Sequence, residues 1–342
     1  MSADSAIRGM LALCTAVLVA GALFLAKSVF APVAFSFFAM AIVWPLQRVL
    51  QARMPKAAAL LVTVLLSLAV LAVMALAIAW STSQVGRWLV GNLERFHFIY
   101  VSTNEWLEAR GIVVSGFLAE RFDVSWLVGL AQQAAGRLNS MAGFALLVFT
   151  FTMLGLLEVD RVTHRIGELE RRAPGLKLLQ AGERIARQFR TYMLIRTMAS
   201  ILTGFLTYCF ALLVGVELAV SWGIISFVLN YVPVLGPIVA VVLTTLFAAA
   251  QFEALQPTLL VLAGLSVIQF SIGNYLEPLL AAVTLAISPF LVLFAVFFWT
   301  FLWGIPGAFI GVPMTIALLT ICAQHVSSSW LPNLVSEPAR AP

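Results

Sequence analysis

Long stretches of this 342-residue chain run without a single charged side chain, among them Met10–Ala26, Ser28–Gln47, Ala57–Trp80, Met141–Leu157 and Thr197–Val216. Each is close to the roughly 17–25 residues that a helix needs to cross the hydrocarbon core of a bilayer. Only 10% of the residues are charged and 62% are hydrophobic. A soluble domain needs about 25% charged residues to cover its surface, so most of this surface must face lipid. The runs lack the polar alternation of membrane β-strands, which excludes a barrel. The expectation is an all-α polytopic membrane protein with about seven or eight transmembrane segments, some of them broken or re-entrant in the C-terminal half. The first run is expected to be a retained span rather than a signal peptide, because its apolar stretch of 17 residues is longer than an ordinary signal-peptide core.

The charges orient the chain. Nine lysines and arginines fall within residues 158–196, and Arg48, Arg53 and Lys56 cluster after the second run. Residues 81–140 carry five arginines balanced by five acids. Excess Lys/Arg marks cytoplasmic loops, so the N-terminus, 48–56 and 158–196 are expected inside and 81–140 outside. The resulting domains are three spans within 1–80, periplasmic or interfacial helices over 81–140 and a fourth span over 141–157. Cytoplasmic amphipathic helices over 158–196, a core of broken spans over 197–325 and a polar tail over 326–342 complete the plan. The net charge of +5 invites a nucleic-acid reading. The confinement of the basic residues to membrane-flanking segments points to lipid headgroups instead, and no nucleic-acid partner is expected.

Beyond Thr197 the chain is punctuated by proline and glycine. The segment NYVPVLGP places Asn230 before Pro233, Gly236 and Pro237, inside an apolar run of 218–250. Proline removes a helix hydrogen bond, and lipid offers no replacement. Breaks of this kind therefore survive where protein or water surrounds them, and transporters use them to build solute and ion sites. Pro233–Pro237 is expected to be non-helical, as a re-entrant tip or a broken span. Gln269, Asn274 and Glu277 follow at spacings that let them share a face, and an acid at membrane depth ordinarily lines a polar path. The candidate solute- or ion-binding residues are thus Asn230, Pro233, Gly236, Pro237, Gln269, Asn274 and Glu277. Pro278–Cys322 is 45 residues long without a charge, about 67 Å as one helix, and must fold back. Its corners are expected at Ser288-Pro289 and at Gly304–Gly307, while Gly304, Gly307 and Gly311 are candidates for close helix packing.

Catalytic signatures are missing. His97, His164 and His325 lie in separate segments, the three cysteines are far apart, and no nucleotide-binding loop or nucleophile elbow occurs. No enzyme activity, cofactor or metal is expected. A secondary transporter is the leading reading; a membrane scaffold and an uncoupled channel are the alternatives.

Several ordered motifs identify a relationship. Tyr192 with Arg196, NYVPVLGP at 230–237, GNYLEP at 273–278, Ser288-Pro289 and WGIPGAFIGVP at 303–313 resemble the autoinducer-2 exporter (AI-2E) family of bacterial permeases. The resemblance implies a polytopic carrier of the inner membrane that forms homo-oligomers, as pentamers. It also implies transport of a small polar signal molecule or exchange of a cation for protons. One departure stands out. Where similar chains continue N-x-L-E-P with basic residues, this one reads Leu279-Leu280-Ala281-Ala282, so the sequence offers Glu277 no local basic partner.

Overall fold

A computed structural model describes residues 3–92, 94–95, 110, 143–159, 161–162, 165, 174–277 and 288–322. All the regular structure among them is helical: α1 Ala3–Leu25, α2 Lys27–Gln51, α3 Lys56–Gly91, α4 Gly143–Val159, α5 Pro174–Val214, α6 Ala219–Leu229, α7 Leu235–Phe252, α8 Leu255–Ser271, α9 Pro289–Trp303 and α10 Ile305–Cys322. A π-helical turn, Ile272–Leu276, extends α8. Six helical segments are long and apolar enough to cross a membrane, and four shorter apolar helices accompany them. The apolar faces turn outward, as a lipid solvent demands: Leu25, Leu213 and Phe301 are each at least 74% exposed. The chain is an all-α polytopic membrane protein.

The structure redraws several expected boundaries. Ala26 alone separates α1 from α2, and its amide and carbonyl still bond Ala22 and Phe30 in helical register. The first two runs therefore meet at Ala26 with no loop between them. Helix α3 continues past residue 80 to Gly91, so the start of the expected outer segment is the end of a 36-residue helix. Most of 81–140 and of 158–173, including the expected interfacial and first cytoplasmic stripes, lies outside the described residues, as does the 326–342 tail. Residues 174–196 and the fifth span form one 41-residue helix, α5. No proline interrupts it after Pro174, and the buried face that carries Phe189 and Tyr192 runs on to Arg196 and Ser200.

The chain divides into two compact units. The first holds residues 1–64, 144–192 and 284–342 and is organised on the α9–α10 hairpin. Ser288 caps α9 by accepting a bond from the Leu291 amide, with Pro289 at the first helical position, where its missing N–H costs nothing. Gly304 makes the turn into α10 at φ +69°, a conformation that favours glycine, and no neighbour lies within 4 Å of the Cβ it lacks. Gly304 thus serves the turn, whereas Gly307 and Gly311 serve packing. A Cβ on Gly307 would collide with the Trp299 carbonyl, and one on Gly311 would come within 3.0 Å of the Ala295 carbonyl. Trp299 donates its indole N–H to Thr315 across the same hairpin. Around it, Trp303 bonds the Leu23 carbonyl, Thr320 lies 3.0 Å from Gln188 of α5, and Phe38 of α2 packs on Phe189.

The second unit, residues 65–143 and 193–283, contains a second hairpin, α6–α7. The two helices are antiparallel: Trp222 near the start of α6 stacks edge-on against Phe247 near the end of α7. Ala211, Trp222, Val241, Phe247, Val261 and Leu265 form the apolar centre of this unit. At the base, Gln251 donates to the Gly215 carbonyl and accepts from the Glu217 amide, both at 2.8 Å. Trp88 at the end of α3 donates to the Glu217 carboxylate, and Arg95 pairs with Glu253 at 3.5 Å. On α5, Gly204 faces Gly223 of α6 so closely that a Cβ on either would come within 2.9 Å of the other's carbonyl oxygen. Helix α6 has 11 residues, about 16 Å, and is too short to span a hydrocarbon core of ~30 Å by itself.

Candidate functional site

The break in the hairpin is as long as expected but lies three residues further toward the N-terminus. Helix α6 ends at Leu229, residues 230–234 are non-helical, and α7 begins at Leu235. Gly236 and Pro237 therefore lie in the first turn of α7 and not in the break. A helix's first-turn amides have no intrahelical partner, so proline fits there without losing a bond. Within the tip the backbone keeps its hydrogen bonds: Val232 N–H donates to Leu229, Leu235 N–H to Pro233 at 2.7 Å, and Gly236 N–H to Val232. The Leu235–Pro233 bond closes a γ-turn around Val234, whose φ of 64° and ψ of −56° are costly for a β-branched residue. Gly236 is dictated by sterics, since a Cβ there would run into the Leu229 carbonyl.

Val234 yields a direct test. Its backbone strain is worth about 1–2 kcal/mol, and its side chain is 47% exposed, so little packing holds it. Val234→Gly is expected to leave the melting temperature of the purified protein unchanged or raised. A marked fall in a thermal melt would mean that the turn carries no strain.

One turn of α5 receives this tip. The Asn230 side chain, 2% exposed, donates its amide to the Ser200 hydroxyl at 3.2 Å. The neighbouring Tyr231 hydroxyl donates to Thr197 at 3.1 Å, and Thr197 passes its own proton to the Met193 carbonyl. Beside them Arg196, 8% exposed, meets Glu277 at 2.6 Å. The partner missing from the sequence around Glu277 is thus supplied from 81 residues upstream. The π-turn Ile272–Leu276 ends directly before Glu277, whose amide bonds Ile272. Such wide turns are rare and recur at functional sites.

The expected residues do not all converge. Asn230 and Glu277 come to neighbouring positions on α5, through Ser200 and Arg196, while Pro233 is buried within the tip. Asn274 is exposed and bonded to the Phe270 carbonyl of its own helix, because the π-turn breaks the α-helical spacing that would align it with Glu277. Gln269 lies half-buried on α8, one turn before that π-turn. Pro278 is outside the described residues. The residues that composition alone did not single out are Thr197, Ser200 and Tyr231. The usable signal was their position: Arg196 is the last basic residue before Arg340, Ser200 follows one turn later on its face, and Thr197 is its immediate neighbour. Among the described residues no group of three or more His, Cys, Asp or Glu side chains is placed to hold a metal ion.

Residues 13–327 match the profile of the AI-2E family transporters, which covers the hairpin, the Arg196–Glu277 pair and nearly all of the remaining chain. The chain belongs to the AI-2E family. Among its relatives, a protein of Borreliella burgdorferi named "Putative transport protein" is 34% identical over 197 residues, 56% of this chain and 54% of the relative. The AI-2 transport protein TqsA of Escherichia coli is 29% identical over 199 residues, 58% of this chain and 57% of TqsA. A transport-named protein of Haemophilus influenzae is 24% identical over 232 residues. The first two alignments span a little over half the length of those relatives. The AI-2E relatives are named as transport proteins and not as enzymes.

In chemical terms, this turn of α5 pairs a neutralised ion couple with a buried amide and hydroxyls. A guanidinium and a carboxylate that satisfy each other can stay at membrane depth, and either becomes costly when the other leaves. An amide and hydroxyls can exchange hydrogen bonds with an uncharged group without moving charge.

Proposed function

We propose that this chain is a secondary transporter of the bacterial inner membrane, with its solute or ion site where the α6–α7 tip meets the Arg196 turn of α5. The observation that carries the reading is the seating of a helix break on a buried ion pair through Asn230 and Tyr231. A scaffold needs no such arrangement, and a continuous pair of spans would be more stable for it. The hairpin is read as re-entrant, because α6 is only half a span long. The transported species is a small polar molecule, with autoinducer-2 suggested by the name of TqsA, or a cation exchanged for protons. The working form is a homo-oligomer. Residues 81–140 face the periplasm and 158–196 the cytoplasm, so cysteines placed at Ser102 and Gln180 should label with impermeant reagents from outside and inside respectively.

The test is flux in proteoliposomes, with autoinducer-2 and with sodium, each with and without an imposed proton gradient. One of the two species should move above the rate of empty vesicles and respond to the gradient. Flux equal to empty vesicles for both would favour the scaffold, and flux indifferent to every gradient would favour the channel.

A further inference from the structure

Threonines in this protein normally give their hydroxyl proton to the carbonyl four residues back: Thr197, Thr244, Thr300 and Thr315 all do so. That bond satisfies the hydroxyl locally and makes threonine tolerable in a membrane helix. Thr203 and Thr207 of α5 depart from this habit. They are 0% and 1% exposed, and neither hydroxyl has a hydrogen-bond partner. The indole N–H of Trp222 on α6, 3% exposed, is also unpartnered. An unmade hydrogen bond at a buried hydroxyl costs about 1–3 kcal/mol, and three on two helices that meet at Gly204 and Gly223 call for an explanation.

Their positions supply one. Ser200, Thr203 and Thr207 recur at the three- and four-residue spacing of one α5 face. On that face Ser200 holds Asn230 of the hairpin tip and Gly204 abuts Gly223 of α6. Trp222 belongs to the same buried cluster as Ala211, one turn beyond Thr207. The unpartnered groups therefore continue the polar line of the tip into the α5–α6 interface. Between Arg196 and Glu277 the only charged residues are Glu217 and Glu253, both at the opposite, base end of the hairpin. An ion beside Thr207 would find no counter-charge, at a cost of several kcal/mol.

We infer that Thr203, Thr207 and the Trp222 indole form a second subsite, deeper along α5 than the tip, for a small uncharged solute bearing hydroxyl or carbonyl groups. This rests on the reading of the hairpin as the transporting element, and it adds that the solute leaves the ion pair behind when it moves along α5. The threonine hydroxyls can donate and accept, while the indole can only donate, so the subsite matches a solute with at least one acceptor. Phe227 packs against Gly204 and Tyr208 against Gly223 at this contact, so the subsite opens when the hairpin moves away from α5 rather than along it.

Accessibility of single cysteines tests the assignment in the full-length protein in proteoliposomes, with Cys14, Cys209 and Cys322 replaced by alanine. Thr203→Cys and Thr207→Cys nearly conserve volume, and Val261→Cys, at a site 0% exposed in the same unit, reports background breathing. Neutral methyl methanethiosulfonate should modify the two threonine positions at least tenfold faster than position 261, by mass spectrometry. The trimethylammonium and sulfonate analogues should react no faster there than at 261. Neutral modification no faster than at 261 would show sealed packing and overturn the subsite. Charged reagents reacting as fast as the neutral one would overturn its restriction to uncharged solutes. The selective pattern without any wild-type flux would sink the transporter reading and leave the subsite standing, whereas flux with sealed threonines would do the reverse.

Discussion

Replacing Arg196 with glutamine is expected to abolish transport and to destabilise the protein strongly. The side chains of Arg196 and Glu277 are 10% and 22% exposed, and their 2.6 Å contact is the one ionic bond between α5 and the end of α8 that the described residues provide. Removing one member of a buried pair costs about 3–5 kcal/mol, because the other charge is left without compensation. The residual exposure of Glu277 places the effect toward the low end of that range. Glu277→Gln should be milder, since guanidinium retains a neutral amide acceptor. The double variant Arg196→Gln/Glu277→Gln should recover most of the stability lost by Arg196→Gln, while flux stays absent. Thermal melts and flux on the three variants form a double-mutant cycle. Additive losses in melting temperature would mean that the pair contributes nothing as a pair. Normal flux in the double variant would remove it from the transport machinery.

The second large effect is steric. Gly236→Ala should disrupt the hairpin, because the new methyl group has to occupy the space of the Leu229 carbonyl and backbone atoms cannot rotate out of the way. Overpacking ordinarily costs about 1–3 kcal/mol when side chains can adjust, and a backbone obstacle puts this change at or above the top of that range. Gly273→Ala is the matched control: no atom lies within 4 Å of its missing Cβ, and φ is not positive there. It should leave stability unchanged or slightly raised, as alanine is the better helix former. Proteolysis of the folded protein should cut near 230–234 in Gly236→Ala and not in Gly273→Ala. Equal protection in both variants would mean that the tip tolerates the extra carbon.

Some of this was legible in the residues. The break near Pro233, the helix start at Ser288-Pro289, the corner at Gly304 and the outward apolar faces follow from proline geometry, glycine geometry and lipid solvation. The placement of Pro237 inside α7 did not follow, because a proline in the first turn of a helix has the same local sequence as one in a turn. The continuity of α3 to Gly91 and of α5 across residue 196 was missed for a different reason. Composition reports where the surroundings change from lipid to water, and a helix can cross that boundary without ending. Arg196 and Glu277 were each conspicuous, as the last basic residue of the core and its only acid after Glu253. Their meeting depends on how α8 packs and on a π-turn that no composition rule announces.

The Gln251 side chain and the Gly236 backbone act together on the α6–α7 hairpin in a way that is kinematic rather than energetic. Gln251 fixes the base by bonding Gly215 and Glu217 with both ends of its amide, and Gly236 fixes the tip by its fit against Leu229. A helix pinned at two points some 15 residues apart cannot slide along its partner, and one inserted residue would turn one end through about 100° relative to the other. The hairpin therefore has no internal degree of freedom to use. Whatever displacement transport requires must carry α6 and α7 together, swinging about the base where Gln251 holds the Gly215 carbonyl at the end of α5, and its reach is bounded by how far Asn230 can travel before Ser200 is lost.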